Sequence, residues 1–238
     1  MPRNDLPAFA KRPNGLLASL PAREFKRLQR HFEPVDLPIK RVLYEANRPI
    51  EHVYFLHTGV ASLVREMQEG DIVEIATIGH EGMVGIALVL GGSQMASRAF
   101  MQIAGHGVRM AADVFLKELE RSPALHRKLM RYALALLAQV SLSAACNRAH
   151  TVEQRCARWL LMTHDRVDSD SFTLTQEFLG QMLGVQRPTV SIAAGMLQKA
   201  GLITYSRGTI TVLNRKGLEA MSCECYRAIA DEYARMLT

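Results

Sequence analysis

The stretch Leu174-Thr-Gln-Glu-Phe-Leu-Gly-Gln-Met-Leu-Gly184-Val-Gln-Arg-Pro-Thr-Val-Ser-Ile-Ala-Ala-Gly-Met-Leu197 reads as two short helices joined by a tight turn at Gly184. Thr173 and Thr175 are candidate N-caps, and Gln176 and Glu177 suit a first helical turn. Phe178, Leu179, Met182 and Leu183 fall at i, i+1, i+4 and i+5, one apolar stripe at helical period. Gly180 lets a crossing helix come close, and Gly184 can take φ > 0 where the chain turns. Val185 packs the turn, and Val190, Ala193, Ala194 and Leu197 form the inner stripe of the second helix. That is a helix-turn-helix, whose second helix enters the DNA major groove. Two amphipathic helices alone would also satisfy an ordinary helical hairpin, but the next residues are specific as well. Gly201 is placed to close the second helix as a C′ glycine. Leu202-Ile-Thr-Tyr205 and Thr209-Ile-Thr-Val212 are β-prone runs flanking Ser206-Arg207-Gly208, a hairpin signal. The whole is a winged helix, with Arg207 at the wing tip facing phosphates.

The totals set wide bounds around this block. The chain has 238 residues, 48% of them hydrophobic and 22% charged, an ordinary globular composition with room for two modest domains. No apolar run is long enough to span a bilayer, and Met1-Pro-Arg-Asn-Asp lacks the apolar region of a secretory signal, so no membrane association is expected. Four cysteines, at 146, 156, 223 and 225, give no disulfide framework, and a reducing cytoplasm is the expected location. A net charge of +6 permits nucleic-acid binding without proving it. Residues 121–166 alone carry an excess equal to that of the whole chain. Arg121 to Arg131 suit a solvated helix surface, whereas Arg148, Arg155 and Arg158 lie nearer the winged helix and are candidates for an electrostatic footprint.

Upstream, residues 2–15 read as a loose arm and 21–30 as a short helix with Phe25 and Leu28 inward. From Phe32 to about Met110 the pattern changes to short strands: 41–44, 52–56, 60–64, 72–76 and 99–103, with breaks at Asn47-Arg-Pro, Gly59, Gly70, Gly79, Gly91-Gly92 and Gly105. Such spacing argues for an antiparallel jelly-roll sandwich or barrel. Residues 111–120 read as a helix, and Ser122-Pro123 opens another that runs to about Arg148, roughly 39 Å at 1.5 Å per residue. It is either one core helix of a monomer or a helix paired with its twin across a two-fold. The seam of a homodimer is expected at Leu125, Leu129, Tyr132, Leu136, Val140 and Ala144, which repeat at three or four residues. Thr151 is the candidate N-cap of a helix over 152–167, with Asp168-Ser-Asp-Ser171 a polar loop before the opening motif. Arg215 to Leu237 reads as a helical tail. Within it Cys223 and Cys225 would point about 200° apart and make poor joint ligands, so no metal is expected.

The order of parts, a β-rich sensor, a long helix and a winged helix carrying Leu174-Thr-Gln-Glu177 and Leu183-Gly-Val-Gln-Arg-Pro-Thr-Val190, resembles the Crp/Fnr family of bacterial transcription regulators. The resemblance implies an α+β chain with an antiparallel, cyclic-nucleotide-binding-like jelly roll at 1–120. A dimerisation helix would follow at 121–149 and a winged helix-turn-helix DNA-binding domain at 150–238. It also implies a homodimer on a two-fold symmetric operator of double-stranded DNA, with RNA polymerase as a further partner. The family commonly places Glu and Arg on the exposed face of its recognition helix; here the matching positions are Pro188 and Ile192. Arg187 matches a family arginine that contacts guanine, and a guanidinium can pair bidentately with the guanine O6 and N7 edge. Pro188 biases Arg187 away from α, so the recognition helix is expected to start at Pro188. Thr189 and Ser191 are candidate base or phosphate contacts, and Gln186, Thr175, Gln176 and Thr209 candidate backbone contacts. The amides behind Thr151 are placed to meet a phosphate.

A cyclic-nucleotide pocket in that family needs a Gly-Glu pair for the ribose and an Arg-Ser or Arg-Thr pair for the phosphate. Here Gly85 is followed by Ile86 and Arg98 by Ala99, with Glu81 nearby but out of register. A buried nucleotide would leave polar groups unpaired at about 1–3 kcal/mol each, so cyclic AMP is not the expected effector, and Glu81 and Arg98 are the pocket candidates. No cofactor is expected: no cysteine precedes Cys146 to hold an iron–sulfur cluster, and His80 and His106 are not spaced as a haem ligand pair. No nucleophile–base pair, phosphate-binding loop or paired-carboxylate motif appears, so catalysis is not expected. The alternative is a regulatory or scaffold protein whose winged helix binds protein partners.

Overall fold

The computed structural model describes residues 14–237, so the arm expected at 2–15 falls outside them except for Asn14 and Gly15. In chain order the elements are α1 (Gly15–Ala18), α2 (Ala22–Gln29), β1 (Glu33–Leu37), β2 (Val42–Tyr44), β3 (His52–Leu56), β4 (Val60–Glu66), β5 (Ile72–Ile78), β6 (Arg98–Ile103) and β7 (Gly105–Ala111). They continue as α3 (Ala112–Arg121), α4 (Pro123–Ala149), α5 (Val152–His164), β8 (Ser171–Thr173), α6 (Gln176–Leu183), α7 (Arg187–Lys199), β9 (Ile203–Ser206), β10 (Thr209–Val212), α8 (Arg215–Met221) and α9 (Cys225–Leu237). The architecture is an antiparallel jelly roll, a long helix and a C-terminal winged helix-turn-helix. The chain divides into two compact units. Of the described residues, one holds those from Asn14 to Ala61 with Ile78–Leu134 and the final two; the other holds Ser62–Thr77 and Ala135–Arg235.

In the first unit β7 lies between β1 and β3, antiparallel to both, with Val35 opposite Gly107 and Phe55 opposite Val108. β2 pairs antiparallel with β6 across an irregularity between Val42 and Tyr44. Strand β3 follows the sequence reading residue for residue, but β1 and β7 escape it. Pro34 disguises β1, and a proline is tolerated there because β1 is the edge of its sheet. Gly105 and Gly107 disguise β7, although backbone crowding is what selects them. A Cβ at Gly107 would sit 2.3 Å from the Phe55 carbonyl oxygen, and one at Gly105 2.1 Å from that of Thr58. Phe55, Leu56, Met83, Met101, Met110 and Phe115 fill the core. Asn14 caps α1 by accepting the Leu17 amide, while its Nδ2 donates to the Leu56 and Gly82 carbonyls. Ser122 accepts the Leu125 amide at 3.1 Å and so caps α4 where the sequence places its start.

Helix α4 turns Leu125, Leu129, Tyr132 and Leu136 into the chain's own core, Tyr132 donating its hydroxyl to the Met83 carbonyl at 2.9 Å. Val140 is half-buried and Ala144 exposed. The face expected to meet a second copy is thus mostly occupied by the chain itself. The outward face carries Met130, Leu134 (64% exposed) and Leu137 (60% exposed) instead. Periodicity finds an apolar stripe but does not say what covers it. Among the described residues α4 is the one helix long and apolar enough to cross a membrane. A third of its most apolar 18-residue stretch is buried in the protein.

In the second unit α5 is the central helix, with Cys156, Ala157, Trp159, Leu160 and Leu161 buried along it. It packs on α7 and α8 and touches α6. β10 lies between β8 and β9 to form the wing sheet, so Ser171 belongs to a strand and not to the polar loop expected there. The β4–β5 hairpin belongs in sequence to the jelly roll yet lies in this unit. Half-buried Glu74 accepts Trp159 Nε1 at 2.7 Å and the Ser62 hydroxyl at 2.8 Å. Burial outweighs those hydrogen bonds and the nearby Arg158 and Arg166 charges, raising the Glu74 carboxyl to about 7.

Candidate nucleic-acid interface

The recognition element is fixed from three sides. Thr175 caps α6 by accepting the Phe178 amide at 3.1 Å, as the sequence suggests. The α6–α7 turn closes through Gly184 at φ 63°, and a Cβ at Gly180 would stand 2.8 Å from the Val185 carbonyl oxygen, so the close crossing needs glycine. At the other end the Leu202 amide donates to the Leu197 carbonyl and the Gly201 amide to that of Gln198, a Schellman closure. Val190, Ala193, Ala194 and Leu197 are buried, anchoring one side of α7. Gln198 Oε1 accepts the Tyr205 amide at 2.9 Å, and the Tyr205 hydroxyl donates to the Leu174 carbonyl at 2.7 Å, tying helix and wing together.

That packing leaves Gln186, Arg187, Pro188, Thr189, Ser191, Ile192 and Met196 exposed. Arg187 is the first residue of α7 with Pro188 second, one residue earlier than the pre-proline bias suggests. Proline at the second helical position removes only an amide that has no intrahelical partner. The Ser191 hydroxyl lies 2.8 Å from Gln176 Oε1 and 3.1 Å from the Arg187 carbonyl, joining the starts of α6 and α7. Ile192 is 64% and Met196 49% exposed. Met196 is absent from the sequence candidates, although the inner stripe of Val190, Ala193, Ala194 and Leu197 already places it on the outer face, because an apolar side chain gives no hydrogen-bonding signal. Such apolar side chains suit a thymine methyl in the groove.

Arg207 and Gly208 form a two-residue turn between Ser206 and Thr209, both with φ > 0 (49° and 77°), the type I′ pattern of tight hairpins. Arg207 and Thr209 are exposed on the wing. Thr151 caps α5 in a reciprocal box: its hydroxyl accepts the Gln154 amide and Gln154 Oε1 accepts the Thr151 amide, so those two amides already have partners. Arg148 is exposed, but Arg155 and Arg158 leave the expected electrostatic footprint because both are buried. Arg155 Nη1 donates to the Leu183 carbonyl and to Asn147 Oδ1, bracing the end of α6. A cleft of about 390 Å³ opens between the β4–β5 turn and the helix-turn-helix, lined by Asp71, Ile72, Glu177, Gln181, Gln186 and Arg187 among others.

The sensor candidates lie in the first unit. Glu81 is buried and accepts the Gly79 amide at 3.1 Å, while Arg98 holds its guanidinium over the Phe100 ring, 5.4 Å from the centroid. Ile86 is buried directly after Gly85, whose φ is 107°.

Residues 34–122 match the family model of the cyclic nucleotide-binding domain, and residues 154–221 that of the Crp-like helix-turn-helix domain. The sequence matches no curated protein. Among solved structures, FixK2 from Bradyrhizobium japonicum aligns at a TM-score of 0.66 and 18% identity, covering 81% of this chain and 98% of that one. A putative transcriptional regulator of the Crp/Fnr family from Eubacterium rectale aligns at 0.67 and 16%, over 87% and 96% of the two chains. A CRP-family transcriptional regulator from Thermus thermophilus aligns at 0.65 and 19%, over 79% and 96%. At these identities the structures establish the shared fold.

Proposed function

The chain belongs to the Crp/Fnr family of transcription regulators, and on that premise we propose that it acts as a homodimer reading a two-fold symmetric operator, gated by a signal at its jelly roll. The observation that carries this reading is the division of α7 into a buried stripe and an exposed face bearing Arg187, Thr189, Ser191, Ile192 and Met196. Arg187, at the helix mouth, is the proposed guanine reader, and Ile192 and Met196 are the proposed thymine contacts. Thr175, Gln176, Gln186, Arg207 and Thr209 hold phosphates and set the register. Thr151 contributes from the N-cap of α5. The dimer seam runs along the outward face of α4, where Met130, Leu134, Leu137, Ser141 and Ala144 repeat at four and three residues, the spacing of a coiled-coil seam. RNA polymerase is the further partner at promoters the protein activates.

Gating is supported by the β4–β5 hairpin. It packs on α5 through Glu74 and Trp159, and its turn shares a cleft with Gln186 and Arg187. A signal that shifts the hairpin therefore acts on residues of the proposed reading face. Cyclic AMP is not that signal on this reading, because Ile86 stands where the ribose needs a carboxylate and Ala99 where the phosphate needs a hydroxyl. Selection of bound duplexes from a random pool tests the proposal. The expected product is a pair of inverted half-sites about one helical turn apart. Recovery of a single asymmetric site, or of no enriched sequence, overturns it.

A further inference from the structure

At the far end of α4, within the second unit, four side chains from distant parts of the sequence converge. Cys146 sits on the last turn of α4 and His150 four residues on, just past the helix end. Cys223 lies in the link between α8 and α9, and Cys225 is the first residue of α9. The tail expected to be one continuous helix breaks at Ser222 to Glu224, which frees Cys223 and Cys225 from opposite helical faces. The three sulfurs and a ring nitrogen of His150 all lie within 4.8 Å of one another. Cys146 Sγ is 3.5 Å from Cys223 Sγ, and Cys225 Sγ is 3.8 Å from His150 Nδ1. A tetrahedral zinc ion with bonds of about 2.3 Å to sulfur and about 2.0 Å to nitrogen needs ligand separations close to these. Ligands on different irons of a two-iron cluster stand farther apart.

The surroundings suit a cation. His150 Nε2 lies 3.2 Å from Glu224 Oε2, so a proton held there by the carboxylate leaves Nδ1 unprotonated toward the sulfurs. Cys225 opens α9, and the N-terminal end of a helix favours negative charge. All three cysteines are buried, which keeps water from competing for a bound cation.

We propose that Cys146, His150, Cys223 and Cys225 form a tetrahedral Cys3His zinc site that clasps the end of α4 to the α8–α9 link. Binding releases three thiol protons to solvent and leaves a complex of net charge −1, with no coordination position open. A closed four-ligand shell is the mark of a structural site rather than a catalytic one. Neither the jelly roll nor the DNA-facing residues contribute to it, so it stands independently of the operator proposal.

The reduced, metal-free full-length chain is titrated with Co²⁺ and then with Zn²⁺, following absorbance and melting temperature. The expected result is one Co²⁺ per chain with the visible bands of tetrahedral cobalt and near-ultraviolet thiolate charge transfer, displaced by Zn²⁺ with a rise in melting temperature. Cys223→Ser and His150→Ala should lose stoichiometric binding, whereas Cys156→Ala, at a buried cysteine outside the cluster, should keep it. If a variant fails to fold by circular dichroism, the wild-type titration decides. An octahedral cobalt spectrum without charge-transfer bands, or no uptake by the folded wild-type chain, overturns the site. So does a Cys146–Cys223 disulfide that forms in place of metal binding when reductant is removed.

Discussion

Arg187 and Arg207, both proposed to meet DNA, hold the same guanidinium on two different backbones. The first starts the recognition helix, and the second stands in a two-residue turn with φ > 0 at the tip of the wing. Arg187→Ala is expected to cost about 1–3 kcal/mol on the preferred site and to flatten discrimination at one base pair per half-site. Arg207→Ala should weaken all sequences equally and lower the salt slope by roughly one per contact. A panel of single-base operator variants separates the two; uniform weakening by Arg187→Ala would make Arg187 a phosphate contact. Glu74 carries a second expectation. Its carboxyl is raised in the folded chain to about 7 by burial. Between the ordinary glutamate range and that value, the folded state holds a proton that the unfolded state has released. Stability from this group is therefore full at low pH, falls by about 1.4 kcal/mol per pH unit as pH rises toward 7, and then levels. Glu74→Gln should flatten the profile of urea midpoints between pH 5 and 7; an unchanged profile would mean that Glu74 does not titrate there.

At the scale of elements, α4 separates what a sequence shows from what it hides. Its start at Ser122-Pro123, its length and its apolar stripe are all legible, because capping chemistry and 3.6-residue periodicity are local. Which stripe faces a partner is not local, and Leu125, Leu129, Tyr132 and Leu136 are taken up by the chain's own core. Likewise β3 announces itself in His52-Val-Tyr-Phe-Leu56, whereas β7 hides behind two glycines whose purpose is set by Phe55 on β3 and Thr58 in the turn after it. The helix-turn-helix and wing are legible because caps, turn glycine and hairpin all lie within 40 consecutive residues; the cysteine–histidine cluster, gathered from residues 146–150 and 223–225, is not. Leu134→Asp with Leu137→Asp would place unpaired carboxylates in the proposed seam, which is costly to bury. Sedimentation should show a folded monomer with reduced operator affinity. Leu129→Ala, by contrast, should lower fold stability by about 2–5 kcal/mol without selectively dissociating the dimer. A wild-type chain that is monomeric at micromolar concentration yet binds its operator would contradict the seam.

For the whole molecule, the link between sensor and reader is the issue. The β4–β5 hairpin is part of the jelly roll by sequence and part of the winged-helix unit by packing. Cyclic AMP is expected to leave melting temperature and DNA affinity unchanged. A ligand at 100 times its dissociation constant would add about 2.7 kcal/mol, so a saturable shift at micromolar cyclic AMP would show that Glu81 and Arg98 serve a nucleotide after all. The central claim is that α7 and the wing bind DNA with sequence specificity. Its most direct test is the affinity of the full-length chain for its selected operator and for a scrambled duplex, each titrated with salt. The expected result is a steep fall of log affinity with log salt on both, with the operator held at least about 10³-fold more tightly. Equal affinity for the two duplexes, or binding indifferent to salt, would contradict it.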